Sequence, residues 1–165
     1  MLRNVRQMVF ETNSSSTHSL SIVGANAMVS PSPSGTSGNK IVIRPGEYGW
    51  GFERLYDCWS KLSYIVTAIQ YHEPGVKELI YADKPVVLED CTYFKWLSEM
   101  VQEYTGRDIE YQQSYDKWYP HGYIDHQSMD LLDDYFVDDE VEFKNNMRDV
   151  IFNNKYQIII DNDNH

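Results

Sequence analysis

The chain has 165 residues, 42% of them hydrophobic and 24% charged, and a formal net charge of −11. Those values fit one packed domain and exclude wholesale disorder, while two cysteines, Cys58 and Cys91, exclude a disulfide scaffold. The acidity disfavours a phosphate backbone as partner and favours a basic protein surface.

The charge is unevenly spread. Residues 1–82 hold seven basic and six acidic side chains, whereas residues 83–165 hold seven basic and nineteen acidic ones. Eight acids and no Lys or Arg lie between Asp125 and Glu142. Thirteen tyrosines and four tryptophans add an unusual aromatic content. No secretory leader pattern follows Arg3 and Arg6, and no apolar run reaches the length of a membrane helix. A cytoplasmic protein with no membrane partner is expected.

In chain order, Val5, Met8 and Phe10 predict an opening strand within residues 1–12. Residues 12–19, TNSSSTHS, predict a hydroxyl-rich turn, and residues 20–23 a second strand. Residues 30–39 contain two prolines and no large apolar side chain, which predicts a flexible surface loop. Residues 40–43 form a short strand ending at Arg44-Pro45-Gly46. Phe52, Leu55, Trp59, Leu62, Ile65, Val66 and Ile69 recur at helical steps and predict a helix over 52–71, stopped by His72-Glu73-Pro74-Gly75.

Residues 86–88 predict a strand. A second helix follows over 91–104, with Asp90 as its N-cap, Gly106 past its end, and Phe94, Leu97, Met100 and Val101 on its apolar face. Residues 109–111 predict a strand, and residues 112–124 an aromatic loop. A last helix over 139–153 has an acidic first turn, which suits the helix dipole, and turns Val141, Met147, Val150 and Ile151 inward. Residues 156–160 close the chain as a strand before a polar tail. The fold expected is α+β, a mixed or antiparallel sheet with about three helices packed on it.

Four constellations carry candidate chemistry. In the first, Glu11 and His18 bracket Asn13, Ser14, Ser15, Ser16 and Thr17. Carboxylate and imidazole are the minimum for acid–base work, and the hydroxyls and backbone N–H groups can cradle a phosphate. The competing reading is a turn whose side chains satisfy their own backbone. In the second, Asp125 lies beside His126, and His126 with Ser128 makes one His-x-Ser step. Two such steps form the active site of the two-histidine phosphodiesterases, but Leu20 replaces the hydroxyl two places after His18. A metal reading would draw on His18, His121, Asp125 and His126. Their spacing matches no zinc pattern, so no metal and no cofactor is expected.

The third constellation is Pro45-Gly46-Glu47-Tyr48-Gly49-Trp50-Gly51, either a pocket wall that projects two aromatics or a turn before the helix. The fourth interleaves acids and aromatics from Tyr104 to Tyr135. Tyr and Trp are favoured at interface centres, and carboxylates can imitate phosphates in a basic groove. Tyr115, Trp118, Tyr119, Asp133, Asp134, Asp138 and Asp139 are the partner-binding candidates.

The string from Arg6 to Ser19, which contains VFETNSSSTHS, resembles the start of an uncharacterised family carried by phages and mobile elements of bacteria. The segments 46–50, 122–128, 151–154 and 159–163 are similar to pieces of the same family. The resemblance implies a phage protein acting in bacterial cytoplasm, and it implies no catalytic residue. Two functions are therefore expected in order. The first is an accessory protein that binds and modulates or inhibits a host protein, of a defence or nucleic-acid-handling kind, through an acidic aromatic surface. The second is a small enzyme or ligand-binding protein acting on a phosphorylated or nucleotide-like substrate through Glu11, His18, Asp125 and His126.

Overall fold

A computed structural model of the chain describes residues 16–22, 28, 36, 37, 39–49, 51–82, 84, 86–116, 118–125 and 129–162. The organising element is α1, Cys58–His72, whose Leu62, Ile65, Val66 and Ile69 are fully buried. Asp57 starts it, its carboxylate accepting the N–H groups of Trp59 and Ser60. Phe52 and Leu55, which share the apolar spacing of the helix, lie outside it: residues Glu53–Leu55 form a strand, β5. Helical periodicity across a strand–helix junction is accidental here. Asp57 breaks it, because its side chain satisfies the helix start and fixes the boundary.

Among the described residues three small sheets surround α1, where one sheet was expected. The first has the order β1 (Ser16–Ile22), β8 (Tyr156–Asn162), β5, all antiparallel. Ile158 and Ile160 of β8 are buried. Leu20 and Leu55 flank Ile158, and His18 and Glu53 flank Ile160. The second sheet joins β2 (Thr36–Ser37) to β3 (Lys40–Ile43) as a tight antiparallel pair, and β3 to β6 (Asp108–Tyr111) in parallel. The third is a parallel pair of β4 (Glu47–Tyr48) and β7 (Tyr123–Ile124). Thr36–Ser37 of the loop expected at 30–39 are thus strand and Asn39 lies in a turn; residues 30–35 and 38, and the opening strand expected over 1–12, lie outside the described residues.

The remaining helices are α2 (Val76–Tyr81), α3 (Thr92–Thr105) and α4 (Glu140–Phe152). Residues 86–88 make no strand; a 3₁₀ turn covers Leu88–Asp90. Phe94, Leu97, Met100 and Val101 are buried, as the periodicity of α3 predicts. Its N-terminus is capped differently. Cys91 occupies the N-cap position without a side-chain capping bond, and Glu73 reaches across from the end of α1 to accept the N–H groups of Thr92 (2.8 Å) and Tyr93 (2.9 Å). Asp139 caps α4 through the N–H of Glu142. Met147, Val150 and Ile151 face the core, but Val141 is 69% exposed. The fold is α+β.

Because α1 is surrounded, its polar side chains bond to backbone. Lys61, fully buried, donates from Nζ to the carbonyls of Asn153 and Tyr156, both at 3.2 Å. Ser63 Oγ donates to the Arg44 carbonyl (2.6 Å), Thr67 Oγ1 accepts from Gly46 N–H (2.9 Å), and Gln70 Nε2 donates to the His121 carbonyl (2.9 Å). Buried polar groups must be paired; Ser63, Thr67 and Gln70 pair with the chain entering β4 and β7, and Lys61 with the turn between α4 and β8. Gly122 lies in the approach to β7 with φ +76°, and a Cβ there would run into the Gly46 carbonyl oxygen. Among the described residues no helix is long and apolar enough to cross a membrane.

Candidate functional site

The structure brings two of the four acid–base candidates together. His18 lies in β1, not in a turn, and is 8% exposed. Its Nδ1 is 2.9 Å from Tyr64 Oη of α1, and the Tyr64 ring packs against Tyr48 with centroids 4.8 Å apart. Asp125 follows β7, donates its N–H to the Tyr48 carbonyl (3.1 Å), and is near enough to act electrostatically on His18. Burial nevertheless dominates and lowers the imidazole pKa to about 4, against the opposing pull of Asp125. A buried imidazole in that range is neutral at pH 7 and a weak base. Ser16 and Thr17 belong to β1, paired with Asn162 and Asp161. Glu11, Asn13, Ser14, Ser15 and His126 lie outside the described residues.

The third constellation does not project its tyrosine. Tyr48 is buried, with its hydroxyl 3.1 Å from Ser63 Oγ. Trp50 lies outside the described residues. His121 stands apart from the His18 cluster's contacts, its Nδ1 3.2 Å from Tyr111 Oη. The groove between α3 and α4 is lined by Met100, Tyr104, Glu140, Val141 and Lys144 among others, and by none of the catalytic, ligand-binding or partner-binding candidates chosen from the sequence.

The acidic aromatic stretch divides. Tyr104 stacks on Phe152, and Tyr111 and Tyr135 pack against the core. By contrast Tyr115 is 84% and Trp118 87% exposed, with Tyr119 exposed beside them. They stand on a loop that is closely tied. Gln112 N–H donates to the Ile43 carbonyl (2.9 Å), and Ser114 N–H closes the loop on the Pro120 carbonyl (2.8 Å). Asp116 N–H donates to Ser114 Oγ (3.1 Å), Trp118 N–H to Asp116 Oδ1 (2.7 Å), and Gly122 N–H to the Tyr119 carbonyl (2.9 Å). The Tyr119 ring packs against Tyr123 at 5.1 Å. From below, Arg44 places its guanidinium 4.4 Å from the Tyr115 ring centroid and bonds Gln112 Oε1.

The acids chosen from sequence have internal work as well. Asp133 pairs with His72 (3.3 Å), Asp138 accepts from Tyr93 Oη (3.4 Å), and Asp139 caps α4. Asp134 is exposed. Sequence reasoning missed Tyr64 and gave Arg44 and Glu47 only a place in a turn. The Glu47 carboxyl is held above its ordinary range by desolvation, then by the charge of Asp116 and a side-chain hydrogen bond with it. These pairings join residues far apart in the chain, and local spacing carries no trace of them. Comparison with protein-family models, with curated proteins and with solved structures finds no match to the chain.

Proposed function

We propose that the chain is a phage-type accessory protein that works in bacterial cytoplasm by docking on a basic surface of a host protein and modulating or inhibiting it. One observation carries the reading: a loop fixed by main-chain and side-chain hydrogen bonds holds Tyr115 and Trp118 almost wholly in water. Single exposed apolar residues are ordinary, but neighbouring aromatics on an ordered loop are the form of an interface centre. Covering the two would remove roughly 300 Å² from water, worth on the order of 7 kcal/mol before the costs of association. The net charge of −11 supports a basic partner. The phage setting rests on the resemblance of the N-terminal string. The enzyme reading is supported by the approach of Asp125 to His18 and weakened by the burial that makes His18 a poor base.

The test is quantitative capture from bacterial lysate by the full chain and by the Tyr115→Ala/Trp118→Ala variant, matched for thermal stability. The wild type is expected to retain a host protein that the variant loses at least tenfold, whereas His18→Gln retains it. Equal capture by the wild type and the loop variant would end this reading.

A further inference from the structure

The β1–β8–β5 sheet turns one face to α1 and the other away from it. Glu53 and Leu55 of β5 lie opposite Ile160 and Ile158 of β8, both buried, and so share the inner face. Successive strand residues point to opposite sides, so Arg54 and its partner Ile159 face outward. Ile159 is half-buried and stands outside the core that takes Leu20, Ile158 and Ile160. Phe52 and Tyr56, one residue beyond each end of β5, keep the same alternation and are 57% and 65% exposed. Arg54 is exposed between them. Among the described residues the side chains of these three make no hydrogen bond, ion pair or ring contact. An arginine between two aromatic rings, all in water, has the composition of an interface centre.

Charge selects the occupant. The outer face carries Arg54 and Asp161, one charge of each sign, and is otherwise made of the two rings with Ser19, Ser21, Gln157 and Ile159. It is a neutral face on a chain of net charge −11. A basic protein is drawn to the acids elsewhere and gains nothing from Arg54, while an acidic protein or a nucleic acid meets the charge of the whole molecule. A second copy meets no row of like charges here, and the face itself supplies both members of a stacking pair, guanidinium and ring. Edge-to-edge pairing through β5 is disfavoured, because a copy running antiparallel about Arg54 sets two guanidinium groups opposite each other. Packed face to face, two sheets sit about 10 Å apart, a gap that interdigitating rings and arginine stems fill. Three strands about 4.8 Å apart and about six residues long offer roughly 300 Å². That is below the roughly 800 Å² per partner of a standard interface, so the association is weak and reversible.

We propose that this outer face receives a second copy of the chain, the two sheets packed face to face about a two-fold axis. Phe52 and Tyr56 of each copy are covered by the other, and each Arg54 stacks on a ring of the opposite copy. The contact uses neither Tyr115 nor Trp118 and so stands apart from the docking function.

Sedimentation equilibrium of the full chain between about 10 µM and about 1 mM tests it. The average mass is expected to rise toward twice that of one chain, with a Kd on the order of 100 µM. Arg54→Glu and Phe52→Ser/Tyr56→Ser are each expected to weaken association about fivefold or more. The three side chains are exposed, and variants with the unfolding temperature of the wild type are compared. Raising ionic strength from about 0.01 M to about 0.15 M is expected to tighten association severalfold, because two bodies of charge −11 repel each other less when screened. This sign is opposite to that of docking on a basic partner. In the ¹⁵N-labelled chain, dilution is expected to move the amide signals of Ser19, Arg54, Gln157 and Ile159. A chain that stays monomeric up to about 1 mM overturns the inference and leaves the face to a partner of another kind. A dimer that neither variant weakens, or one whose dilution shifts fall on the Tyr115–Trp118 loop, overturns it as well.

Discussion

His18 is held between β1 and α1 with its Nδ1 2.9 Å from Tyr64 Oη, in a setting that penalises its charged form. Its pKa falls from 6.5 to about 4 on folding, because burial outweighs the attraction of Asp125. Between those values the unfolded chain binds the proton and the folded chain does not, so stability rises with pH across the window and is lost as pH falls through it. Taking pH 7 to pH 5, the loss attributable to this one side chain is roughly 2 kcal/mol. Glu53, raised by desolvation, and Glu47 act in the opposite direction, since their folded forms take up protons more readily. Urea unfolding of wild type and His18→Gln at both pH values separates the terms: the variant is expected to lose less stability on acidification, and parallel losses would show that His18 stays accessible to protons when folded. The sequence marks His18 as a residue of interest through its company of hydroxyls and Glu11. It says nothing of Tyr64, which lies 46 residues away and decides what the imidazole can do.

At the scale of elements, the ends of the helices carry much of the fold's definition. The carboxylate of Glu73 is the C-terminal neighbour of α1 and the N-terminal acceptor of α3, so one side chain fixes two helices relative to each other. Removing a capping acceptor costs about 1–2 kcal/mol. Glu73→Ala is expected to lower stability by about that amount in denaturant titration, Glu73→Gln by less because an amide oxygen remains, and the exposed Lys77→Ala hardly at all. A cost for Glu73→Ala no larger than that of Lys77→Ala would mean water serves the Thr92 and Tyr93 amides equally well. This cap also shows where sequence reading stops. The helix over 91–104 is plain from Phe94, Leu97, Met100 and Val101, and so is its stop at Gly106, which is in the left-handed conformation. Asp90 is the natural choice of cap by local rules, yet the acceptor comes from 19 residues upstream. The strand β5 was hidden for the opposite reason. Leu55 fits the helical spacing of α1 by coincidence, and only the Asp57 cap separates the two.

For the whole molecule, charge sets two responses to salt that run in opposite directions. A net charge of −11 repels itself in the compact state, so screening stabilises the fold. The same screening weakens attraction to a basic partner. Some local pairs temper the first effect: Lys144 is ringed by Glu99, Glu103 and Glu140 within 3.9 Å, and gains from low salt. These pairs are few beside twenty-five acids and fourteen Lys and Arg. Raising ionic strength from about 0.01 M to about 0.15 M shortens the screening length from roughly 30 Å to roughly 8 Å, which spans the dimensions of this chain. Over that range the unfolding temperature is expected to rise by a few degrees while retention of the host protein declines severalfold. The aromatic contribution of Tyr115 and Trp118 is insensitive to screening, so retention is expected to fall to a plateau and not to zero, and the Tyr115→Ala/Trp118→Ala variant is expected to lack the plateau. Thermal unfolding and capture measured on the same salt series check both limbs. If retention vanishes with salt in wild type and variant alike, charge alone holds the partner and the exposed aromatics are spectators.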